Sequence, residues 1–262
     1  MHLLSKVRKK IQKLNYKNQS IVAMIPARIG SVRLPKKNLA LLYGKPLIYY
    51  AIKAAKEAGI FDRIVVNSEN KIFREVADRY AVEFYRRPAR LATSNIKSDF
   101  VVEDFIKNNP CDIVVWVNPT SPLQLGSEIR KIVDYFLKKK LGSLITVKNE
   151  QVHCLYKGRP VNFKINKVFS RTQDLIPFQP FVYSIMIWKT DCFIQTLKKR
   201  GSGILCGKAG FYPVSKFSSV IIKEKQDLML AEFLLKAINR EKKYKIKYDK
   251  ITKKARGKDR LL

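Results

Sequence analysis

The sequence predicts an α/β fold, with a mostly parallel sheet covered by helices on both faces. Three observations carry this. From residue 20 onward, short apolar runs alternate with segments of helical periodicity. The apolar runs are continuous instead of alternating with polar residues, the pattern of strands buried on both faces. The helical segments between them are long enough to be right-handed crossovers between parallel strands.

The elements follow in order. "SIVAMI" (20–25) is β-branched and apolar and reads as the first strand. "PLIYYAIKAAKEAG" (46–59) has helical periodicity, and Gly59 is its stop signal. "DRIVVNS" (62–68) is a second buried strand, "ENKIFREVADRY" (69–80) a helix and "VEFYRR" (82–87) a short strand. "SDFVVEDFIKNN" (98–109) is a helix with Ser98 in a capping role and Pro110 just beyond its end. "DIVVWVNP" (112–119) is a third buried strand, with Trp116 read as core. "SEIRKIVDYFLKKK" (127–140) is a helix and "SLITVK" (143–148) a strand.

Beyond residue 150 the alternation breaks. "QVHCLYKGRPVNFKI" (151–165) reads as a hairpin with a Lys-Gly turn. "RTQDLIPFQPF" (171–181) is an irregular loop. "VYSIMIW" (182–188) is a strand carrying Trp188 into the core. "TDCFIQTLKK" (190–199) is a short helix capped by Thr190. "GFYPV" and "SSVIIK" read as short strands, and "EKQDLMLAEFLLKAI" (224–238) is a final amphipathic helix. No internal repeat or low-complexity linker divides the chain, so a single domain with an inserted arm at about 150–190 is expected.

The net charge is +32. Part of it sits at the ends. Residues 1–20 carry six Lys or Arg and no acid, and residues 239–262 carry eleven against three acids. Residues 1–19 are read as a basic N-terminal extension, with a short amphipathic helix as one option, and 239–262 as a basic tail. The body stays basic without them. Such a surface favours anionic partners such as nucleotides, nucleic acid or acidic lipid. Cys111, Cys154, Cys192 and Cys206 show no C-x-x-C spacing and read as free thiols of a reducing compartment. No apolar run has membrane-spanning length, and the first twenty residues lack a signal-peptide core. The expected location is the cytoplasm.

In an open parallel sheet, ligands bind beyond the carboxyl ends of the strands. Three such loops stand out: "PARIGSVRLPKKN" (26–38), "NSENK" (67–71) and "NPTSPLQ" (118–124). The first delivers Gly30, Ser31 and the cations Arg28, Arg33, Lys36 and Lys37 with no balancing carboxylate. That composition suits a polyphosphate, with backbone N–H groups and bidentate arginines facing phosphate oxygens. It is neither a Walker A loop nor G-x-G-x-x-G. His153 beside Cys154 lacks further ligands at metal spacing. With two histidines, one at position 2, no Ser-His-Asp arrangement can be argued.

"IPARIGSVRLPKKNL…GKPLIYYAI" resembles the signature of the sugar-acid cytidylyltransferases, which include the CMP-N-acetylneuraminate synthetases and their relatives for pseudaminic, legionaminic and 3-deoxy-octulosonic acids. The resemblance continues in "RRPARLA" (86–92), "NPTSPL" (118–123), "RTQDLIP" (171–177) and "DLMLAEFLL" (227–235), and spans residues 20–238. It implies a Rossmann-like nucleotidyltransferase fold with an inserted dimerisation arm. It implies attack of a sugar-acid hydroxyl on the α-phosphorus of CTP, releasing pyrophosphate. By motif position, Arg28 and Lys37 are the catalytic cations. Ser31, Arg33, Asn38, Arg87, Ser98, Pro119, Thr120 and Ser121 bind nucleotide, and Asn118, Arg171 and Gln173 bind the sugar acid. A homodimer and a Mg²⁺ cofactor are further implications.

Departures from the family pattern concern the metal. Where the sialic-acid branch reads Asp-x-Asp, this chain has Ile221 and Lys223. Isoleucine offers a hard cation nothing and lysine repels it. The metal's protein ligands are therefore left open, with Glu224 and Asp174 as nearby acids and Lys223 as a substitute for part of the ion's charge. Other departures are Val32, Ser94, Gln124 and the pair Val182-Tyr183, which stands where Asn-Gly is common. Two alternatives remain beside the enzyme: a catalytically inactive nucleotide-binding relative, and a binder of nucleic acid or anionic membrane through the basic tails.

Overall fold

The computed structural model describes residues 19–165 and 168–240, together with residues 246, 248 and 249. The expected amphipathic helix within residues 1–18 and most of the basic tail lie outside the described residues. The main sheet has seven strands: β1 (Ile21–Pro26), β4 (Arg63–Ser68), β5 (Glu83–Arg86), β6 (Ile113–Val117), β7 (Ser143–Val147), β10 (Phe181–Lys189) and β11 (Ala209–Pro213). Two small hairpins add β2 (Leu41–Leu42) with β3 (Lys45–Pro46), and β8 (Leu155–Tyr156) with β9 (Arg159–Pro160). The helices are α1 (Leu47–Ala58), α2 (Ile72–Arg79), α3 (Ser98–Asn108), α4 (Gly126–Lys138), α5 (Thr190–Arg200) and α6 (Lys225–Arg240).

The strand order is β11-β7-β10-β6-β1-β4-β5. All neighbours are parallel except β10, which runs antiparallel to both β6 and β7. From β1 the chain first builds outward through β4 and β5, then crosses back to place β6 on the other side of β1. That reversal opens a crevice at the carboxyl ends of β1 and β6.

Strand β1 shows why its run is unbroken. Ile21, Ala23 and Ile25 enter one core cluster, with α1, α2 and α4, while Val22 and Met24 enter the opposite cluster, with α3 and α5. Both faces of the strand are dry, so no position can be polar. The large buried side chains, Phe73 and Phe136 on one face and Phe105, Trp188 and Phe193 on the other, each stabilise the fold by roughly 1.5–3 kcal/mol through burial. α1 stops at Gly59, whose φ of 64° reverses the chain as expected. A third small cluster joins Leu42 and Leu47 to Ile222 and Ala231, seating α6 over the β2–β3 hairpin.

Three local expectations change. Ser98 is the first helical residue of α3, and the cap is Lys97, with no side-chain capping bond. Thr190 likewise begins α5 behind Lys189, and its hydroxyl donates to the carbonyl of Cys111 at 2.7 Å instead. "SSVIIK" is not a strand. Residues 214–224 turn on themselves through Ser215 and Ser218, and the segment is pinned where Ile222 N donates to Thr120 O at 2.8 Å. Its other ties, Val214 N to Val147 O, Ser215 N to Glu128 and Ser218 Oγ to Leu123 O, also go to separate partners, so no strand ladder forms along it.

The excursion after β7 leaves from the carboxyl end of the sheet, the same end as the crevice. Glu150 and Phe178 bridge its base, and the β8–β9 hairpin turns through Lys157 and Gly158 with φ of 49° and 75°. His153 stacks on Phe169 with Phe163 at its edge, a small aromatic cluster inside the arm. Strand β10 belongs to the main sheet, so the excursion spans about 148–180. The irregular loop expected at 171–181 contains a short 3-10 turn at Thr172–Asp174.

Candidate active site

A cavity of about 630 Å³ lies at the crevice. It gathers ten of the expected site residues: Arg28, Ser31, Arg33, Lys37 and Asn38 from the loop after β1, Arg87 from the end of β5, Ser98 from α3, and Asn118, Pro119 and Thr120 from the loop after β6. Arg171, Gln173 and Ser121 do not line it. Arg171 pairs with Asp174 at 2.8 Å on the arm, and the carbonyl of Gln173 accepts a bond from Gln151. Ser121 is buried beneath the floor.

The loop after β1 is held from behind. Ala27 N donates to Asn67 O at 2.9 Å, continuing the β1–β4 ladder. Ile29 N donates to Glu69 Oε1 at 2.8 Å, and Glu69 Oε2 accepts from Arg87 at 3.1 Å. The Arg87 guanidinium also reaches the carbonyls of Asn67 and Ala27, at 3.3 and 3.2 Å. Only 5% of Arg87 is exposed. Burial works against its charge and Glu69 supports it. Arg87, expected near the nucleotide, is thus also the brace of the loop, and Glu69 is a residue that sequence reading missed. Its signal was present: an acid directly after a buried strand, in the second carboxyl-end loop.

The exposed cations are arranged differently. Arg28 donates to Thr93 O at 3.3 Å. Lys36 takes a left-handed backbone, φ 51°, which turns the chain into the 3-10 segment Lys37–Leu39. Lys37 Nζ donates to Ile222 O at 2.9 Å. Its pKa lies below the ordinary lysine value, first through burial and then through the charges of Arg33 and Arg28. The next residue beyond Ile222 is Lys223, which also lines the cavity.

Asn118 organises the floor. Its amide donates to Tyr183 O at 3.0 Å, and its Oδ1 accepts from Thr120 N and Oγ1 at 3.0 and 2.8 Å. Tyr183 has φ 57° at the bulge in β10. This is the conformation a glycine adopts freely, at the place where the family resemblance leads one to expect Asn-Gly. Gln124, another departure, is structural: its amide donates to Glu128, which in turn accepts from Ser215 N.

The remaining wall is apolar: Leu91, Ile96, Val101 and Trp116. Trp116 was expected in the core. It is half-buried, because alternation along β6 turns it away from Val115 and Val117 toward the cavity side. Asn38 Oδ1, Arg87 Nε and Trp116 Nε1 are buried polar atoms without protein partners, all on side chains that line this cavity. Buried polar groups are seldom left unpaired, so the three point to a ligand.

The lining carries five cations and no carboxylate. Among the described residues, no group of three His, Cys, Asp or Glu is placed to hold a metal. Asp227 Oδ2 is occupied by the backbone N–H groups of Lys223 and Glu224, at 2.7 and 3.0 Å. Asp174 is paired with Arg171, and neither it nor Glu224 lines the cavity. The residues present therefore fit an anion and do not fit a protein-held divalent cation.

The family model for cytidylyltransferases matches residues 22–178. An N-acylneuraminate cytidylyltransferase of Streptococcus agalactiae is 30% identical over 135 residues, covering 50% of this chain and 33% of that protein. A CMP-N,N'-diacetyllegionaminic acid synthase of Legionella pneumophila is 38% identical over 120 residues, covering 44% and 52%. The matched stretches thus span about a third to a half of the length of these curated relatives. A solved CMP:2-keto-3-deoxy-manno-octonic acid synthetase complexed with CTP shares the fold, with a TM-score of 0.64 at 13% identity over 83% of this chain and 99% of that one. The match runs from β1 through the arm and includes every cation of the crevice except Lys223, and the chain belongs to the cytidylyltransferase family.

Proposed function

We propose that this chain transfers CMP from CTP to a nonulosonic-type sugar acid and releases pyrophosphate. The observation that carries the reading is the cavity itself, with a cationic end for a triphosphate and an apolar wall with Trp116 for a planar base. The names of the relatives, acting on N-acylneuraminate and diacetyllegionaminic acid, support a sugar acid as the acceptor. In the reaction, a sugar hydroxyl oxygen bonds to the α-phosphorus and gives up its proton to water, the bond from that phosphorus to the bridging oxygen breaks, and pyrophosphate leaves. Such displacement needs positioning and charge stabilisation more than covalent help. Arg28, Arg33 and Lys37 neutralise the triphosphate, while Ser31 and Asn38 orient it. Arg171 and Gln173 reach the sugar acid only if the arm closes over the cavity or comes from a second copy. The exposed apolar side chains of the arm, Leu155, Tyr156, Val161 and Ile176, support a homodimer. Free thiols support the cytoplasm. Among the described residues no helix is long and apolar enough to cross a membrane.

Pyrophosphate release from CTP with a panel of nonulosonic and octulosonic acids tests the reading. Arg28→Ala should lower kcat/KM by about 100-fold or more while the melting temperature holds, since Arg28 makes a single 3.3 Å bond to the protein. Full activity in that variant would remove Arg28 from the mechanism. The acid-free lining favours a second reading, a scaffold that binds CTP without turnover. Tight CTP binding with no pyrophosphate from any acceptor would select it.

A further inference from the structure

The cavity's electrostatics go beyond the assignment of a nucleotide site. Arg87 is compensated by Glu69, but Arg28, Arg33, Lys37 and Lys223 have no carboxylate within ion-pair distance among the described residues. Four positive charges without a carboxylate partner therefore line one cavity. Lys223 is not on a loose loop. The residue before it is tied to Thr120 by a 2.8 Å backbone bond and to Lys37 by a 2.9 Å bond through its carbonyl. Its own N–H is held by Asp227 at 2.7 Å. Asp227 also lies near enough to Lys37 to raise its pKa, but the larger effects from burial, Arg33 and Arg28 lower it. Asp227 is spent on fixing the backbone at Lys223 and Glu224, and neither it nor Glu224 is in the lining.

We propose that Lys223, beside Lys37, takes the place of a protein-held divalent cation at the triphosphate, so that this chain grips the nucleotide as a metal-free tetra-anion. This rests on the nucleotide reading above. An ammonium carried on a pinned backbone supplies positive charge where a metal would bring it and needs no carboxylate ligands, whose negative charge would offset it. Divalent metal bound to the nucleotide lowers the nucleotide's charge, so it should not improve binding to a site whose charged lining residues are all cations.

The test is calorimetric titration of CTP at constant ionic strength, with EDTA or with excess Mg²⁺. The proteins are the wild type, Lys223→Ala, Lys223→Asp and, as a general charge control, Lys216→Ala, whose exposed side chain is outside the cavity. Wild type should bind CTP in EDTA at least as tightly as with Mg²⁺. Lys223→Ala should weaken metal-free binding about tenfold, Lys223→Asp further, and Lys216→Ala hardly at all. Binding by wild type that improves tenfold or more with Mg²⁺, or a Lys223→Ala affinity equal to wild type or matched by Lys216→Ala, would overturn the proposal alone. No CTP binding in either condition would overturn the nucleotide reading and the proposal with it.

Discussion

The two oxygens of Glu69 do different jobs. One receives the N–H of Ile29 in the cation-rich loop after β1, and the other holds the buried guanidinium of Arg87. The Glu69 side chain is about a tenth exposed and that of Arg87 less. Removing one partner of such a pair leaves a charge in a dry site, which costs far more than the intact pair contributes. Glu69→Ala should therefore destabilise the protein by about 3 kcal/mol in urea unfolding. It should also weaken CTP binding, because Ile29 loses its anchor. A variant with wild-type stability would mean that Arg87 finds water or another acceptor. At this scale the sequence was partly legible. The cations at 28, 33 and 37 announced themselves by charge without balance. Lys223 was marked as a stand-in for part of a metal's charge, but Glu69 was not marked and Trp116 was read as core, because Glu69 joins the site through Ile29 and Arg87, distant in the chain.

At the scale of elements, the crevice depends on how closely α1 and α4 pack, since α4 follows the floor loop. Gly126, the first residue of α4, meets the end of α1 so closely that a Cβ there would sit 2.6 Å from Ala58 N and 2.7 Å from Ala54 O. Those are backbone atoms and cannot rotate away. Gly126→Ala should cost about 1–3 kcal/mol by overpacking, whereas Gly30→Ala should be nearly neutral, since a Cβ at Gly30 meets no atom within 4 Å. Paired denaturation curves check both, and equal costs would contradict the contact. Strand β10 is the element whose placement was least legible. Its run "VYSIMIW" marks a strand, but nothing local states that it inserts antiparallel between β6 and β7. That insertion brings Tyr183 against Asn118 and so shapes the cavity floor. "SSVIIK" shows the reverse error: β-branched residues suit a strand, yet without a partner ladder they are held by turns and by separate bonds to Leu123, Thr120 and Lys37.

The whole molecule carries a net charge of +32, far from the neutrality that minimises self-repulsion. Salt should stabilise it. Raising NaCl from a few millimolar to about 0.5 M should lift the melting temperature by a few degrees, as screening shortens the reach of like charges. The same salt should weaken CTP binding, because there the screened charges attract. A melting temperature that falls with salt would show that attractive ion pairs dominate, although pairs such as Lys53–Glu57, Arg63–Glu83 and Arg171–Asp174 are exposed. The arm adds a second molecular feature. It projects from the carboxyl end of the sheet with Arg171 and Gln173 outside the cavity lining, so any role for them in sugar-acid binding requires the arm to move or a second copy to contribute.

What the sequence determined by itself was local: which runs are buried strands, which segments are helices, where Gly59 and the Lys157-Gly158 turn reverse the chain, and that one loop gathers uncompensated positive charge. These follow from periodicity, backbone restrictions and composition within a few residues. Only the tertiary structure decided the order of the strands, the antiparallel place of β10, the buried Glu69–Arg87 brace and the bond from Lys37 to Ile222, the residue before Lys223. Each of those joins residues distant in sequence, and pairing and burial at that range are set by how the sheet closes and not by any pattern within one segment.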